Sequence, residues 1–133
     1  MIAVRAAIVL VAVAAIAWLG TGIAASRAQD ELRDLVNDTE RPTPAQVRRA
    51  HELREQAERG TPGQRAALIE ATLLLKGDDA AGARRVLEQA VREEPENAEA
   101  WLLLAHATED DAPARSEQAM ARVRALAPDV PPP

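Results

Sequence analysis

The sequence predicts an all-α protein: an N-terminal transmembrane helix, then a short antiparallel array of helical hairpins amounting to about two and a half repeats. Three observations predict it. A run of twenty residues, Ala6 to Ala25, carries no charge. Pro62, Pro95 and Pro128 recur every 33 residues, in phase with large and small apolar positions. Two Thr-Pro-x-Gln tetrapeptides, residues 43–46 and 61–64, stand where helices should begin.

The uncharged run comes first. As a helix rising ~1.5 Å per residue it would span about 30 Å, the thickness of a bilayer hydrocarbon core. Residues 1–26 therefore read as a membrane anchor, with contact to the membrane through 6–25. A cleaved secretory signal is the alternative, with small residues for processing near Ala25 to Ala28. Length favours the retained anchor, because signal hydrophobic regions are shorter and Arg5 alone makes a meagre basic start. The basic residues flanking the run are nearly balanced, so orientation rests on the short leading tail, which places the domain outside the cytoplasm of a bacterial-type envelope. Residues 27–43 follow as a juxtamembrane helix and linker. Leu32, Leu35 and Val36 share one face, and Pro42 and Pro44 end the segment.

Residues 44–128 form the helical domain. Sliding the chain by 33 superposes Ala50 on Ala83, Glu55 on Glu88, Gln56 on Gln89, Ala57 on Ala90, Arg59 on Arg92 and Pro62 on Pro95. In Thr-Pro-x-Gln the Thr hydroxyl accepts an amide of the first turn. The Gln reaches back to the Thr amide, and proline occupies the first helical position, where its missing hydrogen costs nothing. Asn97 is expected to cap the next helix, with Glu99 favoured by the helix dipole. Asp78 and Asp111, also 33 apart, are expected to begin the remaining two. The predicted helices are 44–59, 64–76, 80–93, 98–108 and 113–126, joined by loops short enough to make neighbours antiparallel. The tail 129–133, within "PDVPPP", reads as extended and polyproline-like.

Composition excludes several functions. After Ser26 the acidic residues outnumber the basic ones, 21 to 15, which disfavours nucleic acid. The chain has no cysteine, so thiol catalysis and thiolate metal sites are absent. "HELRE", residues 51–55, is half of a His-Glu-x-x-His zinc motif, but its fifth residue is Glu55. His51 and Glu55 on one helix face supply two ligands where a site needs three or more. Ser26 and Ser116 have no triad partners. Glu/Arg pairs such as Arg54/Glu58 read as solvated helix faces. No catalytic residue, cofactor or metal is predicted.

A helix–turn–helix unit of this period closing in proline resembles the tetratricopeptide repeat. Trp101, Leu104 and Ala105 match that family's first helix, and Thr108 departs where tyrosine is usual. Ala83, Leu87, Ala90 and Pro95 match the second helix. Leu68, Ala71, Thr72 and Leu75 are a degenerate first helix; Ser116, Met120, Val123 and Pro128 are a degenerate second one. The match is strong over 80–107. Ankyrin repeats share the period, but their Thr-Pro-Leu-His turn is missing. The resemblance implies that Trp101 wedges between adjacent units, where truncation of a buried indole costs about 3–5 kcal/mol. It also implies a non-catalytic adaptor, acting in envelope assembly, with a concave face lined by the first helix of each pair. Ala66, Ile69, Leu73 and Lys76, then Glu99, Leu102, His106 and Glu109, fall on or beside that face. The implied partner is a protein or amphipathic peptide laid in the groove. The competing occupants of Ile69, Leu73 and Leu102 are the chain's own helix at 27–37 and a second copy, which would make a homo-oligomer. Beyond the anchored adaptor, an exported subunit freed of its leader and an enzyme accessory domain are the alternatives.

Overall fold

The computed structural model describes residues 22–60 and 63–128. Among them the chain folds into six helices and no strand. Helix α1 is described over 22–38. It is followed by α2 (Pro44–Gly60), α3 (Arg65–Lys76), α4 (Ala80–Glu93), α5 (Ala98–Thr108) and α6 (Pro113–Leu126). The five helices expected in the domain begin and end within one residue of their predicted bounds.

Capping explains much of that agreement. The Thr43 amide donates to Gln46 Oε1 at 2.8 Å, and the Gln46 amide donates to Thr43 Oγ1 at 3.3 Å. Gln46 also donates from Nε2 to the buried Thr39 hydroxyl, which ties the box to the end of α1. Asn97 accepts the Ala100 amide at 3.1 Å. Two expected caps are corrected. Asp79, not Asp78, caps α4 by accepting the Gly82 amide at 2.8 Å. Asp78 instead adopts φ 58°, completing the turn that leaves α3. Helix α6 begins at Ala112–Pro113 with no side-chain cap, so Asp111 does not serve. Thr61 and Pro62 lie outside the described residues. Gln64 precedes α3 and donates from Nε2 to Glu93 of α4.

Short connections return each helix against its predecessor, giving the hairpins α1–α2, α3–α4 and α5–α6. Helix α3 also touches α5, whereas no contact joins α2 to α4 or α4 to α6 among the described residues. The odd-numbered helices therefore form a close inner row, and the even-numbered ones splay outward. Alanine lets the helices approach. Ala50 and Ala83, related by 33, are fully buried, as is Ala90, and Ala57 is 4% exposed. In the third unit Ser116 takes this position and donates to the Ala105 carbonyl at 2.8 Å. Thr108 is fully buried and returns its hydroxyl to the Leu104 carbonyl at 2.7 Å.

Helix α3 is the centre of the molecule. Leu68, Ala71 and Leu74 face a cluster with Leu87, Ala90, Leu104 and Ala105. Ala66 and Leu73 face a second cluster with Ala28, Leu32 and Val36 of α1 and Ala50, Leu53 and Ala57 of α2.

The second cluster corrects the N-terminal part of the predicted fold. No helix among the described residues is long and apolar enough to cross a membrane. Most of the expected span, residues 6–21, lies outside the described residues, and 22–25 belong to α1. From residue 26 onward α1 is amphipathic. Ala28, Leu32 and Val36 are buried against protein, while Arg27, Asp30, Glu31, Arg33 and Asp34 are exposed. A helix with one buried stripe and one charged face belongs to a folded domain and not to lipid. Residues 27–43 are therefore packed into the array. They hold most of the first inner helix and its turn, and the array has three hairpins. The proline-rich tail, 129–133, lies outside the described residues.

Trp101 departs from the expected wedge in degree. Its ring packs on the main cluster but is only partly buried. Its Nε1 donates to the Pro95 carbonyl at 2.9 Å. The indole clamps the α4–α5 turn at the joint between two hairpins. Leu104, one turn further on and 1% exposed, is the deeper residue.

Candidate functional site: the inner face

The inner row carries every residue that the sequence placed on a partner-binding face, and the structure divides them in two. On α3 the stripe is already occupied. Leu73 is fully buried, and Ile69 is partly covered by the same cluster. Lys76 donates from Nζ to the Val36 carbonyl at 2.6 Å and to the Thr39 carbonyl at 3.1 Å. Both acceptors belong to the C-terminal end of α1, where the helix has carbonyls without intrahelical partners and a cation is favoured by the dipole. Of the competing occupants of the α3 stripe, the chain's own first helix is the one seen. Arg49 of α2 holds that helix from the other side, with Nη2 2.7 Å from Glu31 Oε1. Glu31 raises the guanidinium pKa further above its ordinary value, through its hydrogen bond and its charge.

On α5 the stripe is open. Glu99, Leu102, His106 and Glu109 lie three to four residues apart, on one face, and all are exposed. Leu102 is 45% exposed, and among the described large apolar side chains it is grouped with Ile23 alone as exposed. His106 Nδ1 stands 3.6 Å from Glu109 Oε2, with both side chains in solvent. The apolar ladder Val36, Ile69, Leu102 has the 33-residue period. Its members are buried, partly buried and exposed in turn.

Between these halves runs a groove of about 450 Å³ lined by Arg33, Arg65, Ile69, Thr72, Glu94 and Glu99, among others. Its lining mixes Leu68 and Ile69 with polar side chains, its basic groups stand on the α1–α3 side and its acidic groups on the α4–α5 side. Arg33, Ala66 and Glu99 are one position in three successive units, so the polarity comes from how the units differ. Sequence reasoning missed Arg33, because α1 was assigned to the membrane side, and Arg65, because it flanks the apolar stripe of α3 instead of lying in it. Aligning 33 with 99 would have found the first.

The outer face holds a second feature. The Glu70 side chain is 4% exposed. Its Oε1 lies 3.0 Å from His51 Nδ1, and its Oε2 lies 2.5 Å from Arg54 Nε. That N–H is not aligned on the oxygen, so charge rather than a directed hydrogen bond holds the pair. Arg54 also meets Glu58 at 2.8 Å but is only 15% exposed, which corrects its reading as part of a solvated face. His51 Nε2 approaches Glu55 at 3.4 Å. Among the described residues no group of three or more potential ligands could hold a metal ion.

No protein-family model, characterised relative or solved structure matches the chain. The inner face must therefore be interpreted from its own chemistry.

Proposed function

We propose that the chain is a non-catalytic protein-interaction adaptor of the tetratricopeptide type, which receives an amphipathic peptide segment on its inner face. One observation carries this reading: the α5 stripe leaves Leu102 in solvent beside a groove of ordered polarity. Burying the part of Leu102 still exposed contributes about 1 kcal/mol, an anchor for a helix laid in a groove. Arg33 and Arg65 favour an acidic residue on one side of the partner, and Glu94 and Glu99 a basic residue on the other. Flanking charges of this kind set orientation and encounter rate more than affinity.

The test compares proteins retained by the wild-type chain with those retained by Leu102→Glu. Loss of specific partners with an unchanged helical circular-dichroism spectrum supports the reading. An unchanged set of partners on an intact fold overturns it.

A further inference from the structure

The two joints between hairpins use the same backbone plan with opposite chemistry. Stepping by 33 carries Arg54 of α2 to Leu87 of α4, and Glu70 of α3 to Leu103 of α5. At the second joint Leu87 is fully buried and packs with Leu103 in one apolar cluster. At the first joint the equivalent positions hold the Arg54–Glu70 ion pair, with His51 as the carboxylate's second partner. The alanine positions around both joints are alike, with Ala50 matching Ala83 and Ala57 matching Ala90. Backbone shape therefore does little to tell a hairpin which neighbour to stack on.

We propose that the Arg54–Glu70 pair sets the order of stacking, so that the first hairpin accepts only the α3 face of the second. A first hairpin placed on the α5 face of another chain would press Arg54 against Leu103. The abandoned α3 face would offer Glu70 to a leucine such as Leu87. Each error buries a charge without its partner, which is far worse than exchanging apolar surfaces. The pair thereby guards against hairpin exchange between chains, the characteristic failure of repeat arrays.

The absence of cysteine in the chain makes the test direct. At the native joint, a Cβ on Gly77 would lie 2.8 Å from Pro42 Cγ, so Pro42→Cys and Gly77→Cys within one chain report correct stacking. The position equivalent to Gly77 in the third hairpin is Asp110. Full-length chains carrying Pro42→Cys alone and chains carrying Asp110→Cys alone are unfolded, mixed, refolded and oxidised, and mixed disulfides are counted by mass spectrometry. With Arg54 and Glu70 in place the 42–110 disulfide should stay at background. With Arg54→Leu/Glu70→Leu it should rise several-fold, while that chain melts at or above the wild-type temperature. Equal 42–110 yields in the two backgrounds overturn the proposal. So does a doubly apolar chain that fails to fold or melts well below wild type, since the pair would then be a plain stabiliser.

Discussion

The joint between α2 and α3 and the joint between α4 and α5 occupy the same places in successive units, yet one is sealed by Arg54 and Glu70 and the other by Leu87 and Leu103. The difference separates two things that a repeat must specify. Small residues at 50, 57, 83 and 90 decide how closely helices approach, and they are common to both joints. The large side chains decide which surfaces belong together, and they are not. Close-packed geometry is thus repeated while recognition is varied, and a buried pair of charges is a sharp form of recognition because neither member tolerates an apolar substitute.

The comparison can be broken most forcefully from the charged side. Arg54→Leu leaves the buried Glu70 carboxylate with His51 alone and should lose about 3 kcal/mol in urea unfolding. Leu87→Ala at the apolar joint should lose about 2–5 kcal/mol through lost burial and a residual cavity. The contrast sharpens with the second substitution. Adding Glu70→Leu should recover most of the loss, whereas no polar partner can rescue Leu87→Ala. A smaller effect is expected at the edge of the first hairpin. Thr43→Ala removes one side of the Thr43–Gln46 box and should cost about 1 kcal/mol, read as a lower urea midpoint with unchanged slope. The smallest concerns Glu93 on α4. Side-chain amides of Gln89 and then Gln64 hold its carboxyl below the ordinary value of 4.5. A depressed folded pKa stabilises above the unfolded value, and that contribution disappears as pH falls through the folded one. Glu93→Gln should therefore change stability slightly at pH 7 and not at all once the wild-type carboxyl is protonated. Paired melts at pH 7 and over a descending acid series check this.

What was legible in the sequence follows from range. Helix ends depend on residues within four positions of one another, so Thr43–Gln46 and Asn97–Glu99 announced them. Asp79 was overlooked for its neighbour Asp78 because the choice turns on a left-handed φ that spacing does not reveal. The buried alanines and Leu104 were legible because they return in phase. Helix α1 was not, since its charged face and its leucines directly follow an uncharged run and read as its continuation. Only contacts from α2 and α3, some twenty to forty residues away, identify it as the first inner helix. The same distance hid the candidate site's division. Nothing local in "RAALIEATLLLK" says that Leu73 and Lys76 are taken by α1 while Leu102, one unit later, is left open. Arg54 and Glu70 look like members of solvated faces when each helix is considered alone. Their burial is a fact of the pair.

The account depends most on α1 being an integral helix of the array, covering the α3 half of the inner face and leaving the α5 half free. Nuclear Overhauser effects between side-chain methyls in the full-length chain test this directly. Cross-peaks linking Leu32 and Val36 to Leu73, with none reaching Leu102, are the predicted result. A first helix with no cross-peak to any methyl in residues 44–128 would contradict it.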